Sequence, residues 1–336
     1  MIFGGSSAER DVSIASGAEV FKVLRDRGHE VLAVDTARGL LGPTAERELL
    51  ESRVKPLPPN QDELSLVRSG ATDLTTSPDL SDVDVYFLAL HGGAGEDGTF
   101  QAALSVAGIP FTGSSHMPSV YAMDKDISKR LFRAAGIPTP DWVMAPIDSD
   151  DVVARLGLPV IVKANKQGST IGLTAVREVS DFEAAVANAF RHDDEVMIEK
   201  LISGRELTVG ILENRALAVG EIIPQESDIF DYASKYQEGG AEEIFPADLP
   251  PVITQKAQEL ALKVHETLKL EDYSRVDMML DEQGRLWCLE ANTLPGLTQT
   301  SLLPQSAAAV GISFGELCER ICALAIRRHS RAVTGR

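Results

Sequence analysis

An α/β fold that opens with a parallel sheet is predicted by three observations. Short apolar runs alternate with amphipathic stretches, and glycine turns follow several of the runs. At 336 residues, the chain is also long enough for two or three cores at a prior of ~150 residues each. The run at Ile2 enters a glycine turn at Gly4, and from Asp11 to about Arg27 the apolar Val12, Ala15, Val20, Val23 and Leu24 recur at helical spacing. The stretches EVLAVD (30–35) and VDVYFLAL (83–90) read as strands, and strands separated by helices argue for parallel pairing. A first strand this short is either unusually brief or marks a true start upstream of Met1.

Residues 36–82 are rich in Pro, Ser, Glu and Leu, with helical character at AERELLESR (45–53) and no strong strand, and read as a variable insertion. Glycine turn, helix and short strand then lead to a first boundary near Gly113. Helical periodicity runs from about Ser119 to Ala135, where Gly136, Pro138 and Pro140 break it. The strands LPVIVKA (158–164) and DEVMIEKLI (194–202) bracket a glycine turn and the helix-like DFEAAVANAF. Strand signals at 206–212 and 216–224 precede a polar segment from Gln225 to Gly240, a helix across Ile253–Leu268 and a hairpin. A last helix, Phe314 to about Arg328, ends in a basic tail expected to fray.

Lys and Arg number 32 against 50 Asp and Glu, a net charge of −18. That field repels phosphate backbones and anionic lipid, so neither nucleic acid nor a membrane surface is expected as partner. With 44% hydrophobic and 24% charged residues, and no run near the ~20 apolar residues of a membrane span, the chain reads as globular and soluble. Cys288, Cys318 and Cys322 lack CxxC spacing, which favours buried thiols in a reducing cytoplasm over zinc ligands or disulfides. The N-terminus lacks the apolar run of a secretory signal.

The richest chemistry lies in SRVDMMLDEQGRLWCLEANTLPG. Residues 274–281 and 286–292 read as strands joined by a turn containing Gly284. With Asp281 facing Leu286, Asp277 stands opposite Glu290 and Arg275 opposite Asn292 on one face. The other face is then Val276, Met278 and Leu280 against Ala291, Leu289 and Trp287, wholly apolar. Opposed carboxylates repel, so a cation is expected between them. Asp277, Glu290 and the amide oxygen of Asn292 suit Mg²⁺. The plain alternative is a hairpin whose polar face meets water.

In KANKQGSTIGL (163–173), a glycine loop after a strand offers backbone N–H groups to phosphate, with Lys163 as a point charge at the strand end. No Walker pattern is present. GAGEDG (93–98) matches GxGxxG, but no acid ends a strand ~20 residues later, which argues against NAD. GGSSAERD (4–11) is a turn into a helix that could present Glu9 to a small zwitterion. Lys235 and Tyr236 sit in the long polar segment, the composition of a lid.

Taken in order, GGSSAERDVS, HGGAGEDGTFQ, GSS with MDK, VKANKQGSTIG, EKLISGRE, DYASKY, RVDMMLD and LEANTLPGLTQTSLLP resemble the ATP-grasp enzymes, and within them the D-alanine–D-alanine ligases, over nearly the whole chain. The resemblance implies three α/β domains, here 1–113, 114–202 and 203–336, with ATP between the last two, and ligation of two D-alanines through an acyl phosphate. It places Lys125 and Lys163 on phosphate, Glu199 and Lys200 at the hinge beside adenine, and Glu206 on the ribose. It makes Asp277, Glu290 and Asn292 ligands of two magnesium ions, with manganese an alternative. Arg275 and the backbone of Gly296 become the oxyanion donors. Glu9 holds the first D-alanine, Ser301 and Leu302 the carboxylate of the second, and His91 joins the substrate residues. Lys235 lies near the γ-phosphate, and Tyr236 bonds towards Ser169 and Glu9. Ala164 and Thr170 depart mildly from the family's VKP and GSS, and Phe230 stands where tyrosine is common. Tyr236 itself favours an amine as second nucleophile, with D-serine the alternative to D-alanine. A homodimer supplying cytoplasmic peptidoglycan synthesis is implied. A nucleotide-binding regulator without ligation is the rival, and the joint presence of Glu9, Arg275 and Ser301 argues against it.

Overall fold

The computed structural model describes residues 1–50, 74, 77–224 and 241–334. The first sheet holds β1 (Ile2–Phe3), β2 (Val34–Asp35) and β3 (Gly39–Leu40), with α1 (Arg10–Asp26) between β1 and β2 and α2 (Pro43–Leu50) after β3. β1 and β2 run parallel as expected, while β2 also pairs antiparallel with β3, a two-residue strand at the start of the 36–82 segment read as having no strong strand. The 83–90 run extends the parallel set through bridges Ile2–Leu88 and Tyr86–Phe111. α1 buries Val12, Val20, Phe21 and Leu24. Gly17 lets it close on the sheet, since a Cβ there would lie 2.9 Å from Phe3 Cβ. α3 (Thr99–Ala107) starts and ends on the left-handed Gly98 and Gly108.

The helical periodicity at 119–135 is divided between two helices, α4 (His116–Met123) and α5 (Lys125–Ala134). Asp124 between them has extended backbone and accepts from Ile127 N at 3.0 Å, an N-cap that restarts the helix and sets Lys125 at its first position. β4 (Trp142–Met144), α6 (Ser149–Leu156), β5 (Val160–Ala164), β6 (Thr174–Val176), α7 (Phe182–Ala189) and β7 (Val196–Lys200) follow. Their sheet has the order β4-β7-β5-β6, antiparallel throughout.

The third sheet, β10-β9-β8-β11-β12, is likewise antiparallel. It comprises β8 (Gly204–Leu212), β9 (Arg215–Pro224), β10 (Ala241–Ile244), β11 (Tyr273–Asp281) and β12 (Leu286–Asn292), with α8 (Pro251–Thr267) crossing it. Its core combines Val209, Ile211, Val276 and Met278 with Ala122, Phe132 and Ile137 from the α4–α5 region. α9 (Leu302–Ala308) and α10 (Phe314–Thr334) instead send Leu303, Ala307, Leu317 and Ile321 into the core of the first sheet. α10 runs past the point where fraying was expected. Arg328 anchors it, donating to the carbonyls of Phe111 and Gly113 at 2.8 and 2.7 Å and to Asp272 at 2.9 Å. Cys288 and Cys318 are buried and Cys322 is half-buried; all three are free thiols. Among the described residues, no helix is long and apolar enough to cross a membrane.

Candidate active site

The hairpin keeps only part of the expected register. Arg275 faces Asn292 and Asp277 faces Glu290, but a bulge after Asp277 then pairs Met278 with Cys288 and Leu280 with Leu286. The slip moves Cys288 and Leu286 onto the apolar face and turns Leu289 to the opposite side, where it lines a cavity with Glu290. The cause lies outside the hairpin. Cys288 N donates to Pro138 O at 2.8 Å, and Cys288 O accepts from Thr139 Oγ1 at 2.8 Å. Backbone groups at the bulge are thereby satisfied by the segment leading into β4. Asp281, expected opposite Leu286, instead caps the turn, accepting from Gln283 N and Arg285 N.

The opposed carboxylates are neutralised by side chains. Asp277 accepts from Arg275 at 2.9 and 2.8 Å, from Thr208 at 2.7 Å and from Asn292 at 2.9 Å. Lys125 Nζ lies 3.2 Å from Glu290. Two carboxylates and an amide, gathered on one face, fit a hard cation whose remaining ligands come from a bound phosphate. Among the described residues no three His, Cys, Asp or Glu converge to hold a metal.

Two cavities, each about 430 Å³, flank this face. The first is lined by Glu9, His91, Ser169, Arg275, Gly296, Ser301 and Leu302 together with Asp277, Glu290 and Asn292. Glu9, only 7% exposed at the start of α1, accepts from Ser169 Oγ. Gly92 and Gly168 make room for it: a Cβ on either would lie 2.5 and 3.0 Å from Glu9 Oε2. Ser169 and Thr170 hold φ of 51° and 63°, left-handed values that cost side-chain-bearing residues energy. His91 is buried, with Nδ1 2.9 Å from Leu294 O and Nε2 3.0 Å from Ser16 Oγ. Burial lowers its pKa, so a neutral ring pins the 294–297 turn. Gly296 packs so closely on Ser301 that a Cβ would lie 2.9 Å from Oγ.

The second cavity is lined by Lys125, Lys163, Glu199, Lys200 and Glu206, with Ile161, Leu173, Met279 and Leu289 as apolar walls. Lys125 Nζ donates to Gln167 O at 2.7 Å, and the buried Asn165 ties the start of α5 to the end of β5 through Asp126 N and Asp124 Oδ1. Lys163 Nζ donates to Glu199 Oε1 at 2.9 Å. Gly168, Ser169, Glu206 and Glu290 line both cavities. A larger, open depression of about 720 Å³ beside β4 contains none of the predicted residues, and its Arg130 is already paired with Asp126.

The structure therefore brings together Glu9, His91, Lys125, Lys163, Ser169, Glu199, Lys200, Glu206, Arg275, Asp277, Glu290, Asn292, Gly296, Ser301 and Leu302. Lys235 and Tyr236 lie outside the described residues. Two further residues escaped the sequence reading. Glu96 reaches the first cavity and accepts from Gly92 N and Leu294 N at 3.1 and 3.2 Å; burial, aided by the charge of Glu9, raises its pKa to about 7. Lys129 is wholly buried, with Nζ 2.5 Å from Glu199 Oε2. The first was hidden in a glycine pattern weighed for dinucleotides, and the second was a charge on a helix face that otherwise carries Phe132.

Family descriptions match most of the chain: "D-ala D-ala ligase N-terminus" over residues 1–114 and "D-ala D-ala ligase C-terminus" over 131–323. The D-alanine–D-alanine ligase of Syntrophobacter fumaroxidans is 40% identical over 334 residues, covering 97% of this chain and 96% of the relative. That of Nitratidesulfovibrio vulgaris is 40% identical over 332 residues, covering 98% and 99%. Among solved structures, the ligase of Bacillus anthracis superposes with a TM-score of 0.78 at 32% identity over 98% of both chains. Its complex with ATP gives 0.77 at 32% identity, covering 98% of this chain and 97% of that one.

Proposed function

Because the chain belongs to the D-alanine–D-alanine ligase family, we propose that its two adjoining cavities carry one reaction, the ATP-dependent joining of two D-alanines for peptidoglycan precursor synthesis. The shared wall carries this reading: Gly168, Ser169, Glu206 and Glu290 line both cavities. A nucleotide with adenine beside Glu199 and Lys200, ribose at Glu206 and phosphates along Lys163 and Lys125 ends next to an acid held at Glu9 and Arg275.

The carboxylate of the first D-alanine, its ammonium on Glu9, takes the γ-phosphoryl group. The amine of the second, its carboxylate on Ser301 and Leu302, attacks the acyl phosphate. Arg275 and the Gly296 N–H face the developing oxyanion, since fixed donors aimed at new charge are the largest catalytic contribution, and phosphate leaves as the peptide bond forms. Ser169 fixes the Glu9 carboxylate, and His91 fixes the turn that carries Gly296. Asp277, Glu290 and Asn292 would hold two magnesium ions, or manganese, offsetting phosphate charge. The domains 1–113, 114–202 and 203–336 each contain one of the three sheets, and the resemblance supports a cytoplasmic homodimer.

Phosphate release from ATP and Mg²⁺, with and without D-alanine and with the product identified by mass, tests the reading. One dipeptide per phosphate is the expected result. Absence of D-alanine stimulation overturns it.

A further inference from the structure

We propose that Lys129 is a positioning residue for nucleotide selection: buried behind the second cavity, it holds Glu199 as a fixed hydrogen-bond acceptor, so that a purine with a 6-amino group is taken and a 6-oxo purine refused. The inference rests on the nucleotide reading of that cavity.

Lys129 is 0% exposed and does not line the cavity. Its ammonium lies 2.5 Å from Glu199 Oε2, donates to Thr139 Oγ1 at 2.5 Å and stands 5.2 Å from the centre of the Trp142 ring. Burying a cation carries a desolvation penalty that only its pairing can offset. Packing alone therefore does not account for a lysine here.

Two lysines flank Glu199 and differ in what they can reach. Lys163 lines the cavity beside Lys125 and is available to a phosphate. Lys129 is enclosed and stays with Glu199 when Lys163 turns to the ligand. Glu199 Oε2 is enclosed beside Lys129, whereas Oε1 is held by Lys163 at the cavity wall, so Oε1 is the acceptor offered to a donor on the base once Lys163 turns to phosphate. Burial alone would push this carboxyl up, but Lys129, and then Lys163, hold it below its ordinary value. An ionised carboxylate only accepts. A 6-amino group meets it as a donor, whereas a 6-oxo group sets lone pair against lone pair, and a site built to hydrogen-bond one group strongly rejects the analogue lacking it. Thr139 also donates to Cys288 O, so the same lysine braces the bulge that aims Leu289 into the cavity.

ATP and ITP differ only on this edge of the base: at C6, amino against oxo, and at the adjoining N1, an acceptor in ATP and an N–H in ITP. The wild type is expected to prefer ATP strongly in kcat/KM for D-alanine-dependent phosphate release. In Lys129→Met, Glu199 is free to take up a proton and donate, and the ATP-to-ITP ratio is expected to fall at least ~10-fold, the scale of one hydrogen bond to a charged group, through KM for nucleotide more than kcat. If that variant does not fold by circular dichroism, Lys129→Gln, which keeps a neutral donor, is read by the same criterion. A folded variant with an unchanged ratio, an equal loss for both nucleotides, or a wild type indifferent to the base overturns the inference. A wild type with no D-alanine-dependent turnover on either nucleotide overturns the functional reading instead.

Discussion

Two acidic clusters in this molecule solve the same electrostatic problem in opposite ways. Asp277 and Glu290 sit on the polar face of the hairpin, and Arg275 and Lys125, the cations that balance them, line the cavities themselves. Glu199 lies in the central sheet and is balanced by one cation at the cavity wall, Lys163, and one that is wholly enclosed, Lys129. Ion pairs open to a ligand can exchange partners when phosphate or carboxylate arrives. An enclosed pair cannot, because separating it would strand a charge in low dielectric. The first cluster is thus built for chemistry and the second for holding a shape.

Removing a cation from the open cluster should produce the largest catalytic effect. Arg275→Ala is expected to lower kcat by at least ~100-fold, the scale of losing an oxyanion donor, with ATP affinity retained by calorimetry; near-normal turnover would break the contrast. The two faces of the hairpin separate next. Met278→Ala, in the core, should cost ~2–5 kcal/mol in denaturant unfolding. Leu289→Ala, at the cavity wall, should cost far less stability and raise KM for ATP. Equal destabilisation would restore the unbulged register.

A smaller effect is read by pH. Glu96 has its folded pKa raised from 4.5 to about 7, so between those values the native state keeps a proton that the unfolded state has released. Stability should fall as pH rises through that window, by about 1.4 kcal/mol per pH unit at most, and level off above it. Melting temperatures of the wild type against Glu96→Gln across pH 4 to 8 should converge at the acidic end and separate at the basic end. Smallest of all, Arg130→Ala removes an exposed i,i+4 pair with Asp126 and should change stability by under ~0.5 kcal/mol.

Much of the site could be read along the chain because its chemistry comes in short runs. Asp277, Glu290 and Asn292 fall on one face through strand alternation alone, and Lys163 and Ser169 stand on either side of a glycine loop. The break at Asp124 was less legible, since an N-cap inside a continuous apolar period leaves the period intact. So was the bulge at Met278, because Leu289 and Cys288 both satisfy an apolar pattern.

Residue order by itself determined the alternation of strands and helices, the polar face of the hairpin and the family, because these depend on local period and on motifs in sequence. Tertiary structure decided which apolar residue enters the core and which faces the ligand. Pro138 and Thr139, about 150 positions away along the chain, take up the backbone groups that the bulge releases. It also decided that Lys129 is an enclosed counterion. Helical spacing does not distinguish a charge facing water from one facing Glu199, and only the sheet packed against that helix settles which it is.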